Sequence, residues 1–441
     1  MTEQSSEPAQ SPRAKAPSGL AKFLGRPEVR AALLLTAVLA PIGIVFSQLE
    51  QYRSSRQHLG AEYYNIARAL VDGRGFSDPF GERTGPTAWM PPVFPMILAI
   101  ALYLGKSRVI VAGVVLVLMN LTWVGIGTSL YWMARRAGSR IPPLFALVLV
   151  LGWALSFDYW FFVCTTDIWL QAAVVTLITL AIFDHLTTGA HRPVSWGLLT
   201  GAALLVSPTL GFATAALSLV SLLQAKTRRQ PWLTTLAIAL LVMAPWTVRN
   251  AVVFKQFIPI KSNAANELYQ ANVVDDDGVF DSVNQQVHPF NRLDSRFQYG
   301  KLGEIAYVKD RGQVFWRVMR DDWRHLSRNI GNRAVAMVVY HPLAKIMDGP
   351  IGGPIRHAVY ASPILVLLAS ISVRGPHRRM LRVLAFFCLA YLVPYVAAAF
   401  YIRYFLVLTP VFLTILYFGI DQLAERWSSR GVKLAPSPKV N

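Results

Sequence analysis

Four ionisable side chains stand at or near the ends of long apolar segments, and their types suit a group-transfer reaction. Glu62 and Asp167 carry carboxylates, which can take a proton from a hydroxyl or an amine. Arg249 and Arg403 carry guanidinium forks, which bind phosphate groups well. Ionisable groups at membrane depth are costly, which makes Asp167 a candidate functional residue. Glu62 stands in the segment after the first predicted span, and the two arginines stand where spans are predicted to emerge outside, where basic residues are disfavoured.

Each candidate also has an ordinary structural interpretation. Asp167 directly precedes an apolar helix, where it would serve as a helix N-cap. Glu62 falls in the first turn of a predicted helix, where a carboxylate interacts favourably with the helix dipole. The two arginines would reach lipid headgroups with their long side chains. Glu50 and Asp158 compete with Glu62 and Asp167 for an acidic role.

The composition indicates what kind of chain positions these residues. Of its 441 residues, 54% are hydrophobic and only 15% are charged, against about 25% charged in an ordinary soluble domain. This excludes a soluble enzyme, a disordered chain and a fibrous repeat, and it predicts a multispanning membrane protein. No nucleic-acid partner is expected despite the net charge of +19. Cys164 and Cys388 lie in apolar stretches and are expected to be buried thiols.

The hydropathy pattern predicts an all-α polytopic membrane protein with about ten transmembrane helices. The predicted spans are 31–48, 109–133, 142–161, 168–184, 194–207, 209–223, 231–247, 357–373, 383–399 and 404–420. The segment 90–104 is also apolar, but it is short and opens with Met90-Pro91-Pro92. It is therefore expected to lie at the interface or to re-enter the membrane rather than to span it.

The distribution of charge predicts how these spans are oriented. With the N-terminus inside, the inside connections are all basic, with little acid. The two long outside segments, 49–108 and 248–356, hold 16 of the 24 acidic residues. Basic loops are retained on the cytoplasmic side, so both termini are predicted to be cytoplasmic.

The same pattern divides the chain into five parts. They are a basic tail at 1–30, a membrane module at 31–247 with the outer loop 49–108, an extracytoplasmic subdomain at 248–356, further transmembrane helices at 357–422 and a basic tail at 423–441. Within the outer loop, an amphipathic helix is predicted over 62–70. The subdomain is too long for an unstructured connection and shows helical patterns around 302–320 and 322–340.

Several motifs, taken in order, resemble one family. They are Tyr64 to Phe76 and Pro86 to Pro95 in the first outer loop, Thr165-Thr166-Asp167, Pro245 to Asn250, Ser262 to Asn272, Gly303 to Tyr307, and Arg403-Tyr404. Over roughly residues 30–422 the chain is similar to bacterial glycosyltransferases of the C superfamily. The nearest group is the one similar to protein O-mannosyltransferases and lipid A aminoarabinose transferases.

The resemblance implies an activity and a location. A sugar would pass, with inversion, from a polyprenyl-phosphate carrier to a lipid, glycan or protein acceptor at the outer face of a bacterial cytoplasmic membrane. Glu62 or Asp167 would be the catalytic base, and Arg249 and Arg403 would bind the lipid phosphate. No cofactor is obligatory; the outer acidic residues leave room for a divalent metal, although no tight ligand cluster shows itself.

The resemblance also implies a substrate groove. The residues expected to line it are Tyr63, Tyr64, Trp89 and Pro92. The apolar segment 90–104 and the spans would hold the prenyl chain.

One departure from the family keeps alternatives open. The family typically has Asp before the tyrosine-containing helix, and the nearest acid here is Glu62. Either Glu62 does that work, or another acid of the loop does, or the chain is a divergent or inactive member. A non-catalytic polyprenyl-lipid-binding protein would explain the spans and arginines without a base. A secondary transporter would need ionisable residues or broken helices near the middle of the bilayer.

Overall fold

The computed structural model describes residues 23–47, 59–155, 167–225, 229–274, 277–279, 287–339, 352–399 and 401–431. Within these ranges the protein is all-α, and Ser77 and Pro86 form an isolated antiparallel bridge. Glu50, Asp158 and Cys164 lie outside the described residues, as do residues 1–22 and 432–441 of the two predicted tails.

The described helices follow one another along the chain. They are α1 (Pro27–Ser47), α2 (Ala61–Val71), α3 (Val93–Gly105), α4 (Arg108–Arg136), α5 (Leu144–Trp153), α6 (Ile168–Thr188), α7 (Pro193–Val206), α8 (Pro208–Gln224), α9 (Gln230–Phe254), α10 (Ala264–Tyr269, continued by a π-helical turn over Gln270–Val274), α11 (Leu293–Leu302), α12 (Glu304–Asp321), α13 (Trp323–Val339), α14 (Gly352–Ile371), α15 (Arg378–Ala397), α16 (Ile402–Leu406) and α17 (Thr409–Gly431). The helices predicted at 62–70, 302–320 and 322–340 are confirmed as α2, α12 and α13.

Five of the described helices are long and apolar enough to cross a membrane. They are α1 over Pro27–Val45, α4, α6, α9 and α15. Other apolar helices are shorter, among them α3, α5, α7 and α8. The 14 residues of α7 span about 21 Å, against about 30 Å of hydrocarbon in a bilayer. These helices are those of a multispanning membrane protein, and the count of ten spans stays a prediction.

Glycine and proline determine where several of these helices end. Gly60 precedes α2 with a φ of +64°, and Gly73 follows its C-cap with a φ of +77°. Such left-handed conformations cost glycine little, so α2 is confined to the segment between them. Between α7 and α8 the chain breaks at extended Ser207, because Pro208 disfavours a helical conformation in the residue before it.

The core of the helix bundle surrounds the first half of α17. Every residue from 405 to 419 is buried, and α17 packs against α5, α6, α14 and α15. A helix that is apolar all round is stable only when other helices cover it on all sides. Glycines allow the closest helix approach, because a Cβ at Gly201 of α7 would lie 2.5 Å from Val242 Cβ of α9.

The two ends of the bundle differ in character. Helices α2, α3 and α10 to α13, with the connections between them, form what we call the polar end. At the opposite end, short connections are held by Asp421, whose Oδ2 lies 2.9 Å from His377 Nε2 and whose Oδ1 accepts a 3.0 Å hydrogen bond from the Ile141 amide. The exposed basic residues Arg135 and Arg136 also lie at this opposite end.

The charge distribution and the two ends generate a topological prediction. A membrane-impermeant thiol reagent applied to intact cells should label Lys301→Cys, which is exposed on α11, and should leave Arg136→Cys unlabelled. Both native cysteines are replaced by Ala in the background used for labelling. Labelling of both positions from one side would contradict the topology, and labelling of Arg136→Cys alone would reverse it.

Candidate active site

Five charged side chains from separate parts of the chain meet at the polar end. They are Glu62 of α2, Asp167 before α6, Lys261 after α9, Glu267 of α10 and Arg403 of α16. The charge of Lys261 interacts with all four of the others. We call these five residues the charged cluster. It brings together three of the four residues selected from the sequence, but not Arg249.

Asp167 joins two helices of the cluster. It occupies the N-cap position of α6, as its structural interpretation predicts, but its side chain makes no capping hydrogen bond. Its Oδ2 instead accepts hydrogen bonds from the Tyr63 hydroxyl at 2.7 Å and from Gln171 Nε2 at 2.8 Å. Burial, and then the charge of Asp167, raise the pKa of Tyr63 well above its ordinary value. Tyr63 therefore stays a neutral donor that fixes this carboxylate.

Glu62 has a different environment. It lies in the first turn of α2 with 18% of its side chain exposed, and its Oε1 is 3.4 Å from His288 Nε2. The Phe290 amide donates a 3.2 Å hydrogen bond to His288 Nδ1. In the neutral imidazole the proton is therefore on Nε2, toward Glu62. His288 follows no motif that sequence reasoning could use, because the fold alone places it beside α2.

Arg403 and Lys261 supply the positive charge of the cluster. The rings of Tyr401 and Tyr404 flank the Arg403 guanidinium, at 4.7 and 5.4 Å from their centroids. Neither cation forms a direct ion pair with a carboxylate of the described residues. Burial lowers the pKa of Lys261; the acidic groups of the cluster oppose this, and Arg403 adds to it. Cations without a direct ion pair can bind an anion through charged hydrogen bonds.

Lys261 was missed by the sequence analysis, although a signal was present. It follows the apolar residues Ile258 and Ile260 in a segment predicted to lie outside, where basic residues are disfavoured. The argument that selected Arg249 and Arg403 applies equally to this lysine.

Arg249 has another set of partners. Its Nη1 donates hydrogen bonds to the Thr87 carbonyl at 2.7 Å and to Asn250 Oδ1 at 3.0 Å, and its Nη2 donates to the Phe76 carbonyl at 2.7 Å. The ring of Trp246 lies 5.0 Å from the guanidinium. These contacts attach the first loop to the end of α9. A phosphate at Arg249 would have to displace them, so the phosphate-binding prediction for this residue gains no support.

A buried carboxylate, Glu304, joins the first loop to the segment that follows α9. Its Oε1 accepts hydrogen bonds from the Ala88 amide at 2.7 Å and the Ser262 hydroxyl at 2.6 Å. Its Oε2 accepts from the Tyr299 hydroxyl at 2.7 Å and from the Thr87 hydroxyl. Glu304 thus ties the first loop to the residue next to Lys261.

The four residues predicted to line a groove lie in different environments. Tyr63 contacts the cluster through Asp167, and its ring meets Phe94 of α3 edge-on at 5.0 Å. Tyr64 packs under the guanidinium of Arg108, at 4.9 Å from the ring centroid. Trp89 is 1% exposed among Phe80 and Tyr299, so it belongs to a small core rather than to an open wall. Pro92 is buried at the start of α3.

An apolar groove opens between α3 and α4. Its volume is about 480 Å³, and its lining residues are Ile97, Ile100, Ala101, Leu104, Gly105, Ile110 and Val114. The first turn of α3 contacts α2 through the Phe94–Tyr63 pair. One helix therefore connects an apolar groove with the charged residues.

No metal-binding site is present among the His, Cys, Asp and Glu side chains of the described residues. In the described part of the chain, His, Cys, Asp and Glu nowhere form a group of three or more that would hold an ion.

Comparison with protein-family models, curated proteins and solved structures gives no match to this chain. The site consists of two carboxylates in different environments and two cations without ion-pair partners. Helix α3, which lines the apolar groove, contacts this site through Phe94 and Tyr63.

Replacement of Glu304 by Gln is expected to destabilise the polar end. In the native protein both carboxylate oxygens of Glu304 accept hydrogen bonds. A Gln side chain has only one acceptor oxygen, and its NH2 group would face donors that are left buried and unpaired. We expect a loss of about 2–4 kcal/mol of unfolding free energy, measured as a lower melting temperature in detergent. The control is Glu82→Gln on the first loop, where 66% of the side chain is exposed. Equal melting temperatures for the two variants would contradict the structural role of Glu304.

Proposed function

We propose that the protein is an integral-membrane glycosyltransferase that uses a polyprenyl-phosphate-linked sugar. The observation that carries this proposal is the pair of cations without ion-pair partners, Lys261 and Arg403, beside the carboxylates of Glu62 and Asp167. The resemblance of the sequence motifs to glycosyltransferases of the C superfamily points the same way.

The two ends of the donor lipid match two features of the site. The phosphate is an anion that two neighbouring cations stabilise, and a guanidinium binds it through two parallel hydrogen bonds. The prenyl chain is apolar, as is the groove between α3 and α4. Because this donor carries no nucleotide, no nucleotide-binding loop is required.

The carboxylates have different roles in this proposal. The acceptor oxygen or nitrogen attacks the anomeric carbon while the bond from that carbon to the phosphate oxygen breaks, which inverts the configuration. The acceptor proton passes to Glu62, the general base. Asp167 is the weaker candidate for a base, because two fixed donors already occupy its Oδ2. It orients the acceptor and Tyr63 instead.

The cations act on the leaving group. As the bond to the anomeric carbon breaks, negative charge grows on the polyprenyl phosphate, and Lys261 and Arg403 stabilise that charge. The pKa of Lys261, lowered by burial, returns toward its ordinary range when the anion is present, because the anion favours the protonated amine.

The location follows from the predicted topology. In the ten-span arrangement the polar end faces the outside of a bacterial cytoplasmic membrane. The acceptor there would be a lipid, a glycan or a protein. A protein that binds the same lipid without transferring sugar would share the groove and the cations, and only a catalytic measurement separates it from an enzyme.

Binding of the lipid phosphate should depend on both cations. Lys261→Ala and Arg403→Ala should each weaken binding of a polyprenyl monophosphate by about 10- to 100-fold, since a charged hydrogen bond contributes about 1.5–3 kcal/mol. Arg403→Lys should recover part of the loss, because a lysine lacks the bidentate fork. Affinity is measured in detergent by native mass spectrometry. Lys301→Ala is the matched control on an exposed helix, and wild-type affinity in both cluster variants would refute the phosphate site.

Sugar transfer should depend on Glu62 more than on Asp167. Glu62→Gln keeps the shape of the side chain and removes its basicity, so transfer should fall at least about 100-fold with lipid binding retained. Asp167→Asn should be impaired less. Each variant is returned to a deletion strain, and envelope glycans and lipid-linked sugars are measured by mass spectrometry, with Glu82→Gln as the control. Normal glycans in both Glu62→Gln and Asp167→Asn would contradict the catalytic roles of these residues and would favour a protein that binds the lipid without transferring sugar.

A further inference from the structure

Helix α10 and the π-helical turn after it carry a polar face. Asn263, Asn266, Glu267 and Gln270 recur at helical spacing and so share one side of the segment. The other side packs on α12, where Ala265 lies against Gly312. The polar face is therefore the one turned away from α12.

Two amides on this face are buried without partners. Asn266 and Gln270 are each 1% exposed. Both amide atoms of Asn266 and the Nε2 of Gln270 have no hydrogen-bond partner among the described residues. Leaving such groups unpaired costs about 1–3 kcal/mol each, and buried amides are rarely left so.

Other buried amides of the same chain are well paired. Asn272, two residues beyond Gln270, donates to the carbonyls of Leu268 and Ala398 and accepts a 3.0 Å hydrogen bond from Arg333. The fold can thus supply partners to a buried amide in this segment. The unpaired amides are confined to one face of it.

That face borders the charged cluster. Glu267, the residue after Asn266, interacts with Lys261 and with Tyr401 and Tyr404, the tyrosines that flank Arg403. Beside Asp167, Gln171 is 6% exposed and donates its Nε2 to that carboxylate, while its Oε1 has no partner in the described chain. Unpaired polar atoms therefore neighbour two acidic members of the cluster, Asp167 and Glu267.

We infer that Asn266, Gln270 and Gln171 bind the hydroxyl groups of the donor's sugar, a neutral polyhydroxylated ring next to the phosphate held by Lys261 and Arg403. This inference rests on the proposed function and extends it to the class of sugar. Each hydroxyl donates one hydrogen bond and accepts others, so amide oxygens and NH2 groups are matched partners. In a buried site these bonds recover the cost of the unpaired groups.

The test compares a bare polyprenyl monophosphate with the same lipid bearing a neutral hexose or pentose. Wild type should bind at least one sugar-bearing lipid more tightly than the bare lipid. Asn266→Leu and Gln270→Met, which keep side-chain size, should weaken binding of that sugar-bearing lipid about tenfold and leave the bare lipid unaffected. The melting temperature of the ligand-free protein should stay equal or rise, because an unpaired buried group has been removed.

A structural role for these amides would give a different pattern. Lower melting temperatures, with equal losses for both lipids, would overturn the inference, as would equal wild-type affinity for both lipids. The matched control is Asn272→Leu, which loses real partners and should melt at a lower temperature with an unchanged preference for sugar. Failure of the bare lipid to bind wild type would instead refute the phosphate site, so the two failures are distinguishable.

Discussion

The buried carboxylate of Glu304 is the interaction on which the polar end depends. It is 3% exposed and accepts hydrogen bonds from four donors: Thr87, Ala88, Ser262 and Tyr299. A buried charge is tolerated only when its hydrogen-bonding capacity is filled, so all four donors must be in place together. The first loop, the segment after α9 and α11 are thereby locked to one another. These hydrogen bonds also fix the position of Lys261, because its neighbour Ser262 is one of the four donors.

Hydrogen-bond satisfaction separates the structural polar groups of this protein from the groups available to a ligand. The guanidinium of Arg249 donates hydrogen bonds to backbone carbonyls of the first loop. The fully buried Arg333 donates a hydrogen bond from Nε to the Val396 carbonyl at the end of α15. Lys261, Arg403 and Asn266 have no such set of partners in the described chain. A buried charge or amide without partners lowers the stability of the folded protein. A ligand that has the opposite charge, or that forms the missing hydrogen bonds, removes this free-energy cost.

The proposed site combines three environments that one substrate would need at once. An apolar groove between α3 and α4 suits a hydrocarbon chain, the neighbouring cations suit a phosphate, and the carboxylates suit proton transfer. The chain of contacts from Phe94 through Tyr63 to Asp167 joins the first of these environments to the last. Because helices rather than long loops carry most of these groups, their spacing is set by helix packing.

Much of the architecture follows from the sequence alone. Composition and hydropathy predicted a membrane protein, and amphipathic periodicity located α2, α12 and α13, because such patterns are local properties of the chain. The charges of Glu62, Asp167 and Arg403 at segment ends also marked them as candidates, and the structure places them together. The sequence likewise indicated a short apolar helix at 90–104, and α3 has 13 residues.

Only the tertiary structure decided which cation stays available. Arg249 and Lys261 satisfy the same sequence argument, and they differ in whether distant carbonyls such as those of Phe76 and Thr87 reach their side chains. His288 beside Glu62, the four donors of Glu304 and the unpaired amides of Asn266 are likewise invisible in the sequence. Hydrogen-bond partners come from residues far apart along the chain, so local pattern identifies a polar side chain while the fold determines whether it is already paired.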